Sequence, residues 1–99
     1  MNTKKVTFGL IGVGNMGSAL LNALISAPEV KFEKILIHDN DSQKYQPFKK
    51  QSSITIAGTN KEVIEESAIV CLAVKPQVFP EILPSLASYF RKSQIIISI

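Results

Sequence analysis

Apolar positions along this chain fall into two alternating rhythms. Short, nearly continuous apolar runs read as buried strands, and stretches with apolar residues every third or fourth position read as helices. Val6, Phe8, Leu10 and Ile11 supply the first strand. A helix over 15–27 follows, with Met16, Ala19, Leu20, Ala23, Leu24 and Ala27 on one stripe and Pro28 as its stop. Lys34–His38 is a second strand that closes on Asp39. Residues 41–51 are polar and contain Pro47, which predicts a short or broken helix. Ser53–Ala57 is a third strand, ended by Gly58. Thr59-Asn60-Lys61-Glu62 has capping-box form, with Thr59 as N-cap and Glu62 reaching back, and opens a helix to about Ser67. Ala68–Val74 is apolar enough for a strand covered on both faces, and Lys75-Pro76-Gln77 breaks it. A helix over 77–90 aligns Phe79, Ile82, Leu83, Leu86 and Phe90, with one of Pro80 and Pro84 in its first turn and the other bending it. Ile95–Ile99 is a fifth strand.

Strand and helix alternate with no repeat and no linker. That order predicts an α/β fold, a doubly wound parallel sheet with helices on both faces and right-handed crossovers, for which the nucleotide-binding strand order 3-2-1-4-5 is the expectation chosen. A ligand would then cross the carboxyl ends of the strands beside the first one, where the order reverses.

The first strand runs into Gly12-Val13-Gly14-Asn15-Met16-Gly17, a G-x-G-x-x-G turn that opens a helix. Glycines are common in turns, so the motif alone is weak; between a strand and a helix it is much stronger. Gly12 permits the tight turn, Gly14 leaves room for a pyrophosphate against the main chain, and Gly17 lets the helix pack closely. The free N–H groups and the dipole at the helix start then face the phosphates. Asp39 ends the second strand about 20 residues after the last glycine, where a carboxylate accepts hydrogen bonds from a ribose and repels a 2′-phosphate. Asn40 and Asp41 beside it also suit a plain turn. No Arg follows closely, so the residues lean towards NAD over NADP, with Lys44, Lys49 and Lys50 as the cations able to reverse that preference.

Composition narrows the classes of function. The chain has 99 residues, 45% apolar and 19% charged, which fits one globular domain with a modest core. No apolar run is long enough to span a membrane, and the basic Met1–Lys5 leads into glycines rather than a signal-peptide core, so the expectation is cytoplasmic. The net charge is +3, but the lysines are scattered rather than gathered on one face, which argues against a nucleic-acid partner. Cys71, the single cysteine, lies in an apolar run and reads as a small buried hydrophobe. His38 reads as a strand-end residue, and Lys75 as a structural or cofactor-contacting lysine rather than a general acid. The chain stops inside an apolar strand, so the expectation is a fragment comprising one dinucleotide-binding domain, 1–99.

Four blocks together resemble one family. Ile11-Gly12-Val13-Gly14-Asn15-Met16-Gly17, Thr59-Asn60-Lys61-Glu62-Val63, Leu72-Ala73-Val74-Lys75-Pro76-Gln77 and Ile97-Ser98-Ile99 are similar to pyrroline-5-carboxylate reductases. The Ala-Val-Lys-Pro-Gln block, at its distance from the glycines, is far more specific than the glycines themselves. The likeness spans essentially the whole chain, but only the amino-terminal, Rossmann-type cofactor domain of the family. It implies NAD(P)H as cofactor and reduction of 1-pyrroline-5-carboxylate to proline, with hydride passing from the nicotinamide to the imine carbon. By matching position, Ile11, Gly12, Val13, Gly14, Asn15 and Met16 would wrap the pyrophosphate, and Gly17 belongs to the same cofactor-binding set. Asp39 and Asn60 would lie at the adenosine end, and Ala73, Val74, Lys75 and Pro76 would line the nicotinamide side.

Two departures stand out. NADPH-using members often carry Ser, Thr or Arg near the end of the second strand, where this chain has Asp39. The family also continues into a helical domain that forms a homo-oligomer and holds most of the substrate site. No catalytic or metal-binding residue is therefore assigned here, and the piece alone is expected to be inactive. Rival readings are a dehydrogenase of the 6-phosphogluconate or 3-hydroxyacid type and a non-catalytic nucleotide-sensing domain of the kind attached to potassium channels. Residues 74–77 count against the first and residues 75–77 against the second.

Overall fold

The computed structural model describes residues 6–27 and 31–99. The expectations placed on Met1–Lys5 and on Pro28 lie outside the described residues. Strand and helix alternate as β1 (Thr7–Ile11), α1 (Asn15–Ser26), β2 (Lys34–His38), α2 (Ser42–Tyr45), β3 (Ile54–Ile56), α3 (Asn60–Glu66), β4 (Ile69–Leu72), α4 (Phe79–Leu86) and β5 (Ile95–Ser98). One 3-10 turn, Gln46–Phe48, continues α2, and another, Ala87–Tyr89, continues α4. The broken helix expected around Pro47 is thus a four-residue α-helix handed on to that first 3-10 turn.

All strands are parallel and lie in the order β3-β2-β1-β4-β5. Leu10 sits level with Ile37 and Cys71, and Ile11 level with Leu72. Because side chains alternate across a strand, this register sorts the core into two layers. Phe8, Leu10, Ile35, Ile37, Ile54 and Cys71 pack towards α1, joined by Leu21 and Phe48. Ile11, Leu36, Val70 and Leu72 pack on the other side with Val63, Ile64 and Leu86. β3 and β5 are the edges, and all four residues of β5 are exposed, Ile95 at 58%.

Two helices present a different face from the one the periodicity suggests. In α1 the buried residues are Gly17 and Leu21, with Leu20 and Leu24 partly buried, while Met16 is 61% exposed and Ala19 and Ala23 face out. The reason is Gly17. A Cβ there would overlap the carbonyl oxygen of Gly12 and lie 3.4 Å from Leu10 Cδ2. The helix therefore presses its glycine onto the turn, and the residue one turn later, Leu21, follows it into the core. In α4, Pro80 occupies the first turn and Pro84 stands inside the helix. Phe79, Ile82, Tyr89 and Phe90 pack on the core, whereas Leu83 is turned outward, at 38% exposure.

The α3 ends are satisfied by side chains. Thr59 Oγ1 accepts the Glu62 N–H at 3.1 Å, as the capping box predicts, but Glu62 Oε1 reaches one residue further back, to the Gly58 N–H at 3.0 Å. At the other end Gln94 Nε2 donates to the carbonyls of Ile64 (2.6 Å) and Ser67 (2.7 Å), while Arg91 donates to the Glu65 carbonyl at 2.8 Å. Gln94→Leu removes the donor from two carbonyls at once. It is expected to lower stability by about 1–3 kcal/mol, read as a lower urea midpoint with unchanged slope.

Candidate cofactor site

The carboxyl ends of β1, β2 and β4 converge on a cleft of about 290 Å³. Ile11, Gly12 and Gly14 line it from the first crossover, Asp39, Asn40 and Lys44 from the end of β2 and α2, and Asn60 from the first turn of α3. Ala73, Val74 and Lys75 enter after β4, with Val78 and Ile82 from the segment that begins α4. The cleft lies at the point where the strand order reverses, the general ligand position of open α/β sheets.

The glycine turn is built as its sequence suggests. Gly12 has φ +99°, a conformation that favours glycine, and a Cβ there would run into the Ala73 carbonyl oxygen. Its N–H donates to the His38 carbonyl at 2.9 Å, which ties the turn to β2. Gly14 is the N-cap of α1, with no side-chain cap and no acidic residue in the first turn. A Cβ at Gly14 would meet nothing within 4 Å. The first intrahelical bond here is Ser18 N–H to the Gly14 carbonyl at 2.8 Å. The amides of the turn before it are the helix donors that normally want an external acceptor. An uncapped twelve-residue helix whose start opens onto empty space fits an anionic phosphate.

Asp39 proves to be more than a free carboxylate on the rim. Its Oδ2 accepts the Val13 N–H at 2.8 Å and its Oδ1 accepts the Asp41 N–H at 2.9 Å. The carboxylate shapes its own turn, and it also lines the cleft. Asn60 supplies a different signal. Its Oδ1 is buried and has no hydrogen-bond partner among the described residues. A buried acceptor without a donor costs about 1–3 kcal/mol, and a ligand hydroxyl or amine in the cleft would relieve that. Open space at Gly14, bare amides at α1 and an orphaned acceptor at Asn60 together fit a polyhydroxylated phosphate ester such as a dinucleotide.

Of the sequence-predicted residues, the structure brings Ile11, Gly12, Gly14, Asp39, Asn60, Ala73, Val74 and Lys75 together around the cleft. Val13 and Gly17 are buried behind it, and Asn15 and Met16 stand exposed at the start of α1. Pro76 is exposed in the turn that leads to α4, outside the lining. Asn40, Val78 and Ile82 complete the wall. The signal for Asn40 is its place next to Asp39, and for Val78, the N-cap of α4, and Ile82 it is their separation of four residues across the helix's first turn. His38 is structural, with its Nδ1–H donating to the Ala57 carbonyl at 2.9 Å. Cys71 is buried in the α1 layer, and burial pushes its thiol up, which keeps it neutral and inert. No helix of the described residues is long and apolar enough to cross a membrane.

Comparison with known proteins agrees with this geometry. The family described as NADP oxidoreductase coenzyme F420-dependent matches residues 7–99. Pyrroline-5-carboxylate reductase of Methanosarcina acetivorans is 36% identical over 103 residues, covering 100% of this chain and 36% of the relative. The enzyme of that name from Escherichia coli is 32% identical, covering 92% of this chain and 34% of the relative. A crystal structure of Plasmodium falciparum pyrroline carboxylate reductase with NADP bound superposes with a TM-score of 0.75 at 28% identity, covering 99% of this chain and 34% of the other. The chain therefore spans about a third of the length of the relatives it matches.

Proposed function

The chain belongs to the family described as NADP oxidoreductase coenzyme F420-dependent, and from that premise we propose that it is the cofactor domain of a pyrroline-5-carboxylate reductase, binding NADH or NADPH. The observation that carries the reading is the cleft itself, where an uncapped α1 start, a collision-free Gly14 and the unpartnered Asn60 Oδ1 face one space at the sheet's reversal point. When bound, the reduced nicotinamide supplies hydride to the imine carbon of 1-pyrroline-5-carboxylate, and a proton taken up at nitrogen completes proline.

The chain's own residues bind and orient. The amides at the start of α1 receive the pyrophosphate, and Gly14 lets it approach. Asp39 and Asn60 hold the adenosine side, beside β2 and α3. The opposite half of the cleft, after β4, receives the nicotinamide. There Ala73 and Val74 give a half-buried, mostly apolar wall, and Lys75 stands at the rim. Residues 13 and 17 act from behind the site by shaping the turn. Substrate recognition and assembly into a homo-oligomer belong, on this reading, to the part of the relatives that this chain does not span, and the place of action is the cytoplasm.

The test uses the gene product purified from its own cells. On this reading it oxidises NADH or NADPH only when 1-pyrroline-5-carboxylate is added, and proline accumulates in equal amount. Cofactor binding without turnover of that substrate would leave a dinucleotide domain of other purpose.

A further inference from the structure

The two edges of the sheet are built differently. β3 has three residues, and both of its isoleucines pack on the core. Such brevity is one way in which natural sheets blunt an edge. β5 carries none of the usual protections. It has no charged side chain and no proline, and its register with β4 runs unbroken from Ile95 to Ser98. Ile95, Ile96 and Ile97 are 58%, 49% and 41% exposed, and Ile99 beyond them is 43% exposed. An uncovered apolar surface of this kind marks an interaction site.

Register limits what this edge can hold. Ile95 N–H donates to the Ala68 carbonyl at 3.0 Å, and Ile99 N–H to the Leu72 carbonyl at 3.1 Å. Backbone groups point alternately to the two sides of a strand. Ile97 therefore also points to β4, whereas the N–H and C=O of Ile96 and Ser98 point out from the free edge. Side chains alternate as well. Ile95 and Ile97 stand level with Ile69 and Cys71, on the α1 face, and Ile99 follows them there. Ile96 and Ser98 stand level with Val70 and Leu72, on the face of α3 and α4.

We propose that β5 is an interaction edge for a second copy of this chain, paired antiparallel about a two-fold axis at Ile97. In that register Ile96 and Ser98 of one copy lie opposite Ser98 and Ile96 of the other. Each such pair exchanges N–H···O bonds, which satisfies the outward backbone groups. On the α1 face Ile97 meets Ile97, and Ile95 meets Ile99 on either side. These are the close, non-hydrogen-bonded pairs of an antiparallel ladder, and all of them join β-branched side chains. The edge is thus complementary to itself, as an isologous dimer requires, and no side-chain charge of β5 opposes the approach. A copy of the same edge supplies the open backbone groups and the apolar face at once.

Antiparallel pairing turns the strands of the two copies in opposite directions, so the two clefts open on opposite sides of the joined sheet and both stay free. The proposal rests on the sheet's register and not on the cofactor reading. It is also separate from the homo-oligomer ascribed above to the part of the relatives that this chain does not span. An edge of four residues is a small contact, so the dimer belongs to the class that dissociates on dilution.

Sedimentation velocity tests this. From about 1 µM to 1 mM, the affinity range of a weak interface, the chain is expected to pass from monomer to dimer and to stop there, since pairing uses up β5. Ser98→Pro removes an N–H that points out of the sheet, which an edge strand tolerates. It is expected to leave the chain monomeric at the highest concentration, with unchanged circular dichroism and unchanged NADH binding. Leu83→Lys alters the outward apolar surface of α4 and is expected to leave the dimer intact. Amide hydrogen exchange reads the same contact without a variant, and it decides alone if Ser98→Pro does not fold. The Ile96 and Ser98 amides are expected to become protected as concentration rises, while those of Ile95 and Ile97 are protected throughout. A monomer at every concentration would leave the edge to a strand of different sequence and overturn the proposal. So would a dimer that survives Ser98→Pro in a folded chain, growth into larger assemblies, or free exchange at Ile96 and Ser98 in the dimer. None of these outcomes touches the cofactor reading.

Discussion

Replacing Gly14 by valine is expected to weaken binding of the reduced dinucleotide by at least about 100-fold, or some 2.7 kcal/mol, while leaving the fold intact. The two halves of that expectation come from one observation. A Cβ built at Gly14 meets no protein atom within 4 Å, so the valine finds room and melting changes little, as for a surface substitution that breaks no contact. The space it fills is the mouth of the α1 N-terminus, where the pyrophosphate must come within hydrogen-bond distance of the amides. A branched side chain there holds the phosphate off. Calorimetric titration alongside thermal melting checks both halves. A folded variant that binds normally would remove the glycine turn from the site.

Gly17→Ala should have the reverse profile, a large loss of stability that precedes any question of binding. Alanine in a helix is favoured over glycine by about 1 kcal/mol, which taken alone predicts stabilisation. The collision decides the sign. The added methyl would overlap the carbonyl oxygen of Gly12, and its carbon at 3.1 Å. These are backbone atoms of a turn that is itself tied to His38 by the Gly12 N–H. Neither partner can rotate aside as a side chain would. A net cost on the order of 3 kcal/mol or more follows, towards the upper range for overpacking. For a domain of this size that lowers the melting temperature by more than about 12 °C. An unchanged or raised melting temperature would mean that α1 does not press on the turn as described.

These two glycines also mark what can be read from the chain without coordinates. The strands were legible because a central parallel strand is apolar on both faces, and Ile35–Ile37 and Val70–Leu72 have no other plausible fate. The alternation of elements implies a parallel, doubly wound sheet, and the order 3-2-1-4-5 is the nucleotide-binding choice among such sheets, which the observed order matches. Which side of α1 is buried was not legible from periodicity, because Ala19 and Ala23 are apolar yet too small to insist on the core, while Gly17 carries no hydrophobic signal and nevertheless dictates the contact. Leu83 misled in the same way. Two prolines hold α4 and pass it into a 3-10 turn, so regular helical spacing no longer tells which residues face inward.

The site divides along similar lines. Local motifs were visible: the glycines, Asp39, the Thr59 cap and the block from Ala73 to Lys75. Pairings across the sheet were not. The Asp39–Val13 bond joins residues 26 apart in sequence, and the Gln94 clasp on α3 joins residues 27 and 30 apart. Neither has a spacing rule. Burial of the Asn60 acceptor without a partner depends on where α3 starts relative to the cleft, which only the folded chain defines.

The central claim is that the cleft at the ends of β1, β2 and β4 is a dinucleotide site. An amide NMR titration of the chain with NADH tests it most directly. The account predicts saturable shifts at Gly12, Gly14 to Gly17, Asp39, Asn60 and Ala73 to Lys75, with β5 and the outer face of α4 unmoved. Saturable shifts elsewhere, or none at millimolar nucleotide, would contradict it.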